Sequence, residues 1–250
     1  MLNLLRSDFY RLFRSKSYYI CMLVSAFLVA LGIIVVYLNN KMDTTTKVAL
    51  PNGIDHGLSA ITGNIPMFLG IIIGIYVTAE FTHGTMKNVV SKGFSKIKIY
   101  LSKYITMLAA AYIFLLFTWM IATIGATIFS GEFGAINGKY IAIIGIELLL
   151  YAGLIALLLL VAMVVKNLGG VIAINLIYIL LVDQLFFLLL QLIVKNKIKF
   201  TEYSILNNIL FYSNNTAVGS DYLRSAIIAV AVFVVATALG IFAFKKSDVK

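Results

Sequence analysis

Six membrane-crossing α-helices, an all-α integral membrane fold, are encoded by this 250-residue sequence, and three observations say so. The composition is 62% hydrophobic and 12% charged, with a mean hydropathy of +1.01. A soluble domain carries roughly 45–50% apolar and about 25% charged residues, so this chain cannot cover a water-facing surface, and a soluble enzyme is excluded. Six stretches each supply the about 20 apolar residues that cross about 30 Å of hydrocarbon. None alternates in the manner of a barrel strand, and in lipid any other backbone must be helical to satisfy its own hydrogen bonds. Two prolines against 17 Phe and 14 Tyr also exclude disordered and collagen-like chains.

The first element is an N-terminal helix within residues 1–17. Leu2, Leu5, Phe9, Leu12 and Phe13 recur at three- and four-residue steps, with Arg6, Arg11, Arg14 and Lys16 mostly between them. That is an amphipathic helix lying at the headgroups with a basic face. Spans are expected at 18–38, 58–79 (with Pro66 near its start), 101–129, 140–165, 169–194 and 223–244. The first is not a cleavable signal, because its apolar core exceeds the about 7–15 residues of a signal core. Gly70 and Gly74 in the second form Gly-x-x-x-Gly, which lets helices approach closely and is read as packing within the chain.

Two acids fall inside spans. Glu147 stands in the fourth, with Tyr151 one turn further on the same face. Asp183 stands in the fifth beside Gln184 and Gln191. An ionisable group in a span is costly and marks a functional candidate by default. Hydrogen bonding between helices and a place on a transport path both fit, and neither acid has a basic partner within a span.

Outside the spans lie residues 39–57, 80–100 and 195–222, with no soluble domain among them. The loop from Glu80 to Lys103 carries five lysines against one acid. Gly84 and Gly93 bracket a short segment whose Met86, Val89 and Val90 share a face if it is helical. Such a helix can dock into a groove on another protein; a solvated loop held by its lysines to anionic lipid fits equally. The segment 195–222, with Ile198, Phe200, Tyr203, Ile205, Leu206, Ile209, Leu210 and Phe211, is too apolar for a free loop. One or two short helices dipping into the outer leaflet are expected. Asn214-Asn215-Thr216 matches a glycosylation sequon common enough by chance to carry no weight.

Lysine and arginine orient the chain. With both termini inside, thirteen of the twenty basic residues fall on inner segments and seven on outer ones; Lys195, Lys197 and Lys199 fall on the outer side. The net charge of +10 therefore belongs to membrane orientation, and no nucleic-acid partner is expected. No catalytic constellation is found. Gly134-Ala135-Ile136-Asn137-Gly138-Lys139 has the wrong spacing for a phosphate-binding loop, and His-Glu-x-x-His and Gly-x-Ser-x-Gly are absent. His56 and His83 stand apart with no metal-ligand cluster around them, and the single Cys21 reads as a small hydrophobe.

Three stretches resemble a known family. Leu4-Leu5-Arg6-Ser7-Asp8-Phe9-Tyr10-Arg11-Leu12-Phe13-Arg14-Ser15-Lys16 precedes span one. Glu80-Phe81-Thr82-His83-Gly84-Thr85-Met86-Lys87 ends span two in an acid followed by Gly-Thr and a basic segment. Lys96-Ile97-Lys98-Ile99-Tyr100-Leu101-Ser102-Lys103 leads into span three. Together they resemble the permease subunits of ABC-2-type ATP-binding-cassette exporters. The likeness is greatest to small Gram-positive permeases of peptide-toxin export and of bacitracin or lantibiotic immunity. The resemblance implies a multi-pass bacterial plasma-membrane protein with cytoplasmic termini and no ATPase of its own. ATP and Mg would sit in a cytosolic cassette partner, two copies of which serve a permease pair, with a homodimer expected. It implies a coupling helix between spans two and three, here Glu80 with Gly84, Thr85, Met86, Lys87, Val89, Val90 and Gly93, and short outer helices before span six. A path at the dimer interface would draw on Asp183, Gln184 and Gln191, with Glu147 and Tyr151 less well placed, and would carry amphipathic peptide outward. A proton-coupled transporter using Glu147 and Asp183, and a non-transporting membrane scaffold that sequesters a toxin, are the alternatives.

Overall fold

The computed structural model describes residues 1–42, 51–194, 199–212 and 219–247. Lys47, Lys195, Lys197, Ile198, Lys250 and the sequon at 214–216 lie outside the described residues. Among those described there are helices and no strand, and six of the helices are long and apolar enough to cross a membrane.

Helix α1 (Leu2–Phe13) turns at Arg14 and Ser15 into α2 (Lys16–Met42), the first span. Next come α3 (Gly53–Thr62) and α4 (Ile65–Thr82). Residues 58–62 thus belong to a separate short helix, and the second span begins at Ile65. The break falls at Gly63 and Asn64, ahead of a proline in the first turn of α4, where its missing N–H is harmless and its fixed φ favours helix initiation. Helix α5 (Thr85–Ser91) stands alone before α6 (Lys96–Ser130). At 35 residues α6 is about 50 Å long, so it projects well beyond the expected 101–129; Ser95 caps it by accepting from the Lys98 N–H. Helix α7 (Gly138–Val165) ends on Lys166 in the left-handed conformation, φ 58°. Asn167 then caps α8 (Leu168–Ile177) by accepting from the Gly169 N–H at 3.0 Å.

The fifth span is one continuous helix of mixed pitch. After α8 the backbone widens into a π-turn, Tyr178–Val182, and resumes as α9 (Asp183–Ile193). Its buried residues form a narrow stripe: Val171, Asn175, Ile179 and Asp183, each four residues from the last. On an ideal helix four-residue steps drift by about 40° each; the wide π-turn takes part of that drift back. Gly70 and Gly74 of α4 face this stripe. A Cβ on Gly70 would stand 3.3 Å from Asn175 Cβ, and one on Gly74 would stand 3.0 Å from Ile172 Cγ1. Asn175 also donates to the Gly70 carbonyl at 3.2 Å.

Helix α7 forms the centre, with Leu150, Tyr151, Leu154, Ile155, Leu158 and Leu159 fully enclosed. Tyrosine hydroxyls tie neighbouring helices to backbone carbonyls: Tyr18 to Ala110 (2.8 Å), Tyr104 to Ala152 (3.0 Å) and Tyr151 to Ile61. Before the sixth span a 3₁₀ turn (Phe200–Tyr203) leads into α10 (Ile205–Phe211). Ile205, Leu206 and Ile209 are buried against the protein. The apolar character that suggested a segment dipping into the leaflet is thus satisfied largely within the chain; Tyr203, Leu210 and Phe211 remain outward. Helix α11 (Gly219–Lys246) closes the bundle against α7. Tyr212 donates to Ser225, which donates to Asn208, and this joins α10 to α11.

Candidate functional site

One end of the bundle carries α1, α5, the start of α6 and the end of α11. There α1 turns a stripe inward: Leu4, Asp8 and Leu12, at four-residue steps, are buried. Leu12 therefore leaves the apolar face expected for the membrane surface, because its side faces the protein, whereas Leu2 and Phe13 stay exposed. Asp8 inside that stripe needs a partner, since an unpaired charge away from water is costly. The partner is Lys103, two turns into α6 and also buried. Its Nζ donates to Asp8 Oδ1 and to Glu80 Oε1 at the end of α4. Arg11 completes the group by pairing with Glu80. Its guanidinium lies 4.1 Å above the centre of the Tyr76 ring and donates to the Tyr76 carbonyl at 3.2 Å.

Two acids and two bases thus meet with no net charge, and neutral groups finish the shell. Ser102 donates to Asp8 Oδ2 at 2.6 Å, and the Tyr76 hydroxyl donates to the Asp8 carbonyl at 2.9 Å. Glu80 Oε2 has no hydrogen-bond partner among the described residues. It borders a cavity of about 180 Å³ that Ser7, Thr85, Val89 and Ile99 also line. Removing one partner of such a buried group is strongly destabilising, so the cluster ties α1, α4 and α6 into one body.

Helix α5 sits directly on this body. The Thr85 hydroxyl donates to the Glu80 carbonyl at 3.3 Å. Met86 is fully buried, and Val89 and Val90 are half-buried against the core. The apolar face, which fitted a partner groove or a lipid-held loop equally in the sequence, is packed within the chain and holds the short helix in place. Glu80 is likewise enclosed and offers no surface to a partner. What α5 presents outward is Thr85, Lys87, Asn88, Ser91 and Lys92. Gly84 and Gly93, with φ of 65° and 82°, set the turns on either side, a conformation glycine adopts at no steric cost. Lys96 locks the neighbouring helix end by donating to the carbonyls of Lys245 (3.0 Å) and Ser247 (2.9 Å).

The acids within the spans occupy separate sites. Asp183 is buried and accepts from Tyr178 (2.9 Å) and from Ser204. Gln184 points away from it and is exposed. Gln191 accepts from Thr201 at 3.1 Å. Asp183, Gln184 and Gln191 therefore do not converge on one path within the chain. Glu147 lies in a cavity between α3, α6 and α7, and Tyr151 beside it is committed to the Ile61 carbonyl. Sequence reasoning missed Asp8, Lys103, Tyr76 and Ser102. The available signal was an acid inside the Leu4–Leu12 stripe and a lysine inside the apolar run of α6.

No curated protein matches the chain. The family model described as ABC-2 family transporter protein matches residues 4–183, from α1 through Asp183, and so contains the whole charged cluster and α5. The chain belongs to the ABC-2 transporter family: it is a multi-pass membrane permease component of an ATP-binding-cassette transporter, and works in association with a cassette ATPase.

Proposed function

We propose that this chain is the transmembrane half of an ATP-driven exporter in a bacterial plasma membrane, with both termini and α5 in the cytosol. Two copies pair, and each seats one cassette ATPase on α5; ATP and Mg bind in that partner, and this chain carries out no bond-breaking step. The observation that carries the reading is the seven-residue helix with a polar, lysine-bearing outer face, fixed by its apolar face to a neutral ion cluster. A helix held in this way moves with α1, α4 and α6 as a lever. ATP-driven closure of the partners would then be converted into rigid-body displacement of the spans. The cluster residues Asp8, Glu80 and Lys103 are positioning residues, and Thr85, Lys87, Asn88, Ser91 and Lys92 are the contact surface.

The fifth span supports a second copy as neighbour. It is held by one narrow stripe and leaves Leu181, Leu185, Phe186 and Leu189 outward. Its apolar face, with Gln184 among few polar groups, suits an amphipathic peptide better than sugars or ions. The proton-coupled and scaffold alternatives have no support from membership of a cassette-driven family.

The test is co-purification with a cassette ATPase and measurement of permease-stimulated ATP hydrolysis. Lys87→Glu with Lys92→Glu, both on exposed positions, should abolish association while leaving thermal stability unchanged. Retained association and stimulation would refute the assignment of α5.

A further inference from the structure

The cavity between α3, α6 and α7 has a property the permease reading does not use. Its volume is about 270 Å³, and it is lined by Ile61, Leu115, Leu116, Ile144, Leu148, Tyr112, Trp119 and Glu147. Glu147 is 1% exposed, and neither of its carboxyl oxygens has a hydrogen-bond partner among the described residues. The other polar groups in the wall are already committed. The Tyr112 hydroxyl donates to the Leu148 carbonyl at 2.9 Å, and Trp119 Nε1 donates to the Tyr140 hydroxyl at 2.6 Å. Two carboxyl oxygens thus lie unpartnered beside an otherwise apolar chamber, where polar groups are expected to be paired.

The depth of the chamber says how it is reached. Glu147 lies nine residues into α7, roughly 13 Å along its axis. Leu116 in its wall is 57% exposed on the flank of α6, a membrane-crossing helix. On that side the cavity faces hydrocarbon, so whatever enters there must already be dissolved in lipid. The geometry points to a binding site for a lipophilic primary or secondary ammonium, its N–H groups donating to Glu147 and its apolar body lying among Leu115, Leu116 and Ile144. The ring faces of Tyr112 and Trp119 add attraction for a cation. Paired orphan acceptors favour a donor-bearing ammonium over a quaternary one, which brings charge without hydrogen bonds. An aminolipid headgroup and a free amphiphilic amine share this chemistry. The site is independent of the role given to α5.

Trp119 is the chain's single tryptophan and supplies the readout. The full chain in phosphatidylcholine nanodiscs is titrated with dansylcadaverine, a lipophilic primary amine, and energy transfer from Trp119 to dansyl is followed. Saturable transfer is expected. Glu147→Gln should weaken binding at least tenfold, and the N-acetylated probe should bind wild type no better than it binds that variant. Leu116→Phe, a change on the exposed side of the wall that leaves the interior untouched, should weaken binding of the amine several-fold by narrowing entry from that side. Equal amine binding by wild type and Glu147→Gln, or equal binding of amine and acetylated probe by wild type, would overturn the proposal. If Glu147→Gln does not fold, unchanged amine binding in Leu116→Phe does so. Adding phosphatidylethanolamine to the nanodiscs separates the sources: competition with the probe identifies the aminolipid, and its absence identifies a free amphiphile.

Discussion

Buried charge is handled in opposite ways in two parts of this molecule. Beneath α5, Asp8 and Glu80 are matched by Lys103 and Arg11 and wrapped by Ser102 and Tyr76. In the cavity of α3, α6 and α7, Glu147 has neither a base nor a donor among the described residues. The first arrangement holds three helices in fixed relation, because each charge depends on groups from another helix. The second holds nothing together and destabilises its surroundings. A matched cluster reads as a mechanical joint, and an orphan as a position kept for something the protein binds. Asp183 lies between the two, with two hydroxyl donors and, among the described residues, no base.

Substitutions that remove charge should separate these cases. The largest effect is expected at Lys103. Lys103→Met leaves Asp8 without a base and Glu80 with Arg11 alone, and should cost about 3–5 kcal/mol, seen as a large fall in thermal unfolding temperature in detergent. Adding Asp8→Asn, which leaves the Arg11–Glu80 pair intact, should restore much of that loss, and failure to do so would mean that shape rather than charge holds the joint. Next is Ser204→Ala, which removes one of the two hydroxyls serving Asp183. A loss of about 1–3 kcal/mol is expected by the same assay. At Glu147 the sign should reverse: Glu147→Leu removes an unsatisfied group and should stabilise by roughly 1 kcal/mol. A strong destabilisation there would show that Glu147 is matched after all.

The smallest effect concerns pH. Burial in α3, outside the spans, holds the His56 imidazole below its ordinary value of 6.5. The folded protein therefore binds fewer protons than the unfolded chain below that pH. Stability is fully present above about pH 6.5 and falls as the medium is acidified below it. His56→Gln should flatten this slope by a few tenths to about 1 kcal/mol in unfolding measured between pH 7.5 and 5.

Much of the architecture was legible in the sequence because hydrocarbon imposes a length on apolar runs, and length survives without knowledge of contacts. The six spans were visible in this way, whereas the short segment was marked by the bracketing Gly84 and Gly93 and the segment after the fifth span by its apolar composition. The start of the second span was misplaced because Leu58–Thr62 is as apolar as the helix that follows. Pro66 marked the true beginning, yet a proline near a helix start fits several boundaries. The charged joint was hidden for a different reason. Asp8 and Lys103 are 95 residues apart, and a charge count credits Lys103 and Arg11 to membrane orientation. Only the register of α1, which places Asp8 between Leu4 and Leu12, betrays that an acid must meet a base inside. The packing of α5 was not legible because a three-residue apolar face looks the same whether it meets a partner or its own core.

The wide turn at 178–182 makes the fifth span sensitive to pitch. With every residue kept, tightening that turn to ordinary α pitch would carry Asp183 about 80° around the axis from Asn175. Asp183 would then leave Ser204 and swing toward the hydrocarbon. Side chains along the outer flank can be exchanged with little penalty, whereas the width of the turn between Asn175 and Asp183 cannot. In this stretch, spacing rather than identity is what selection has to guard.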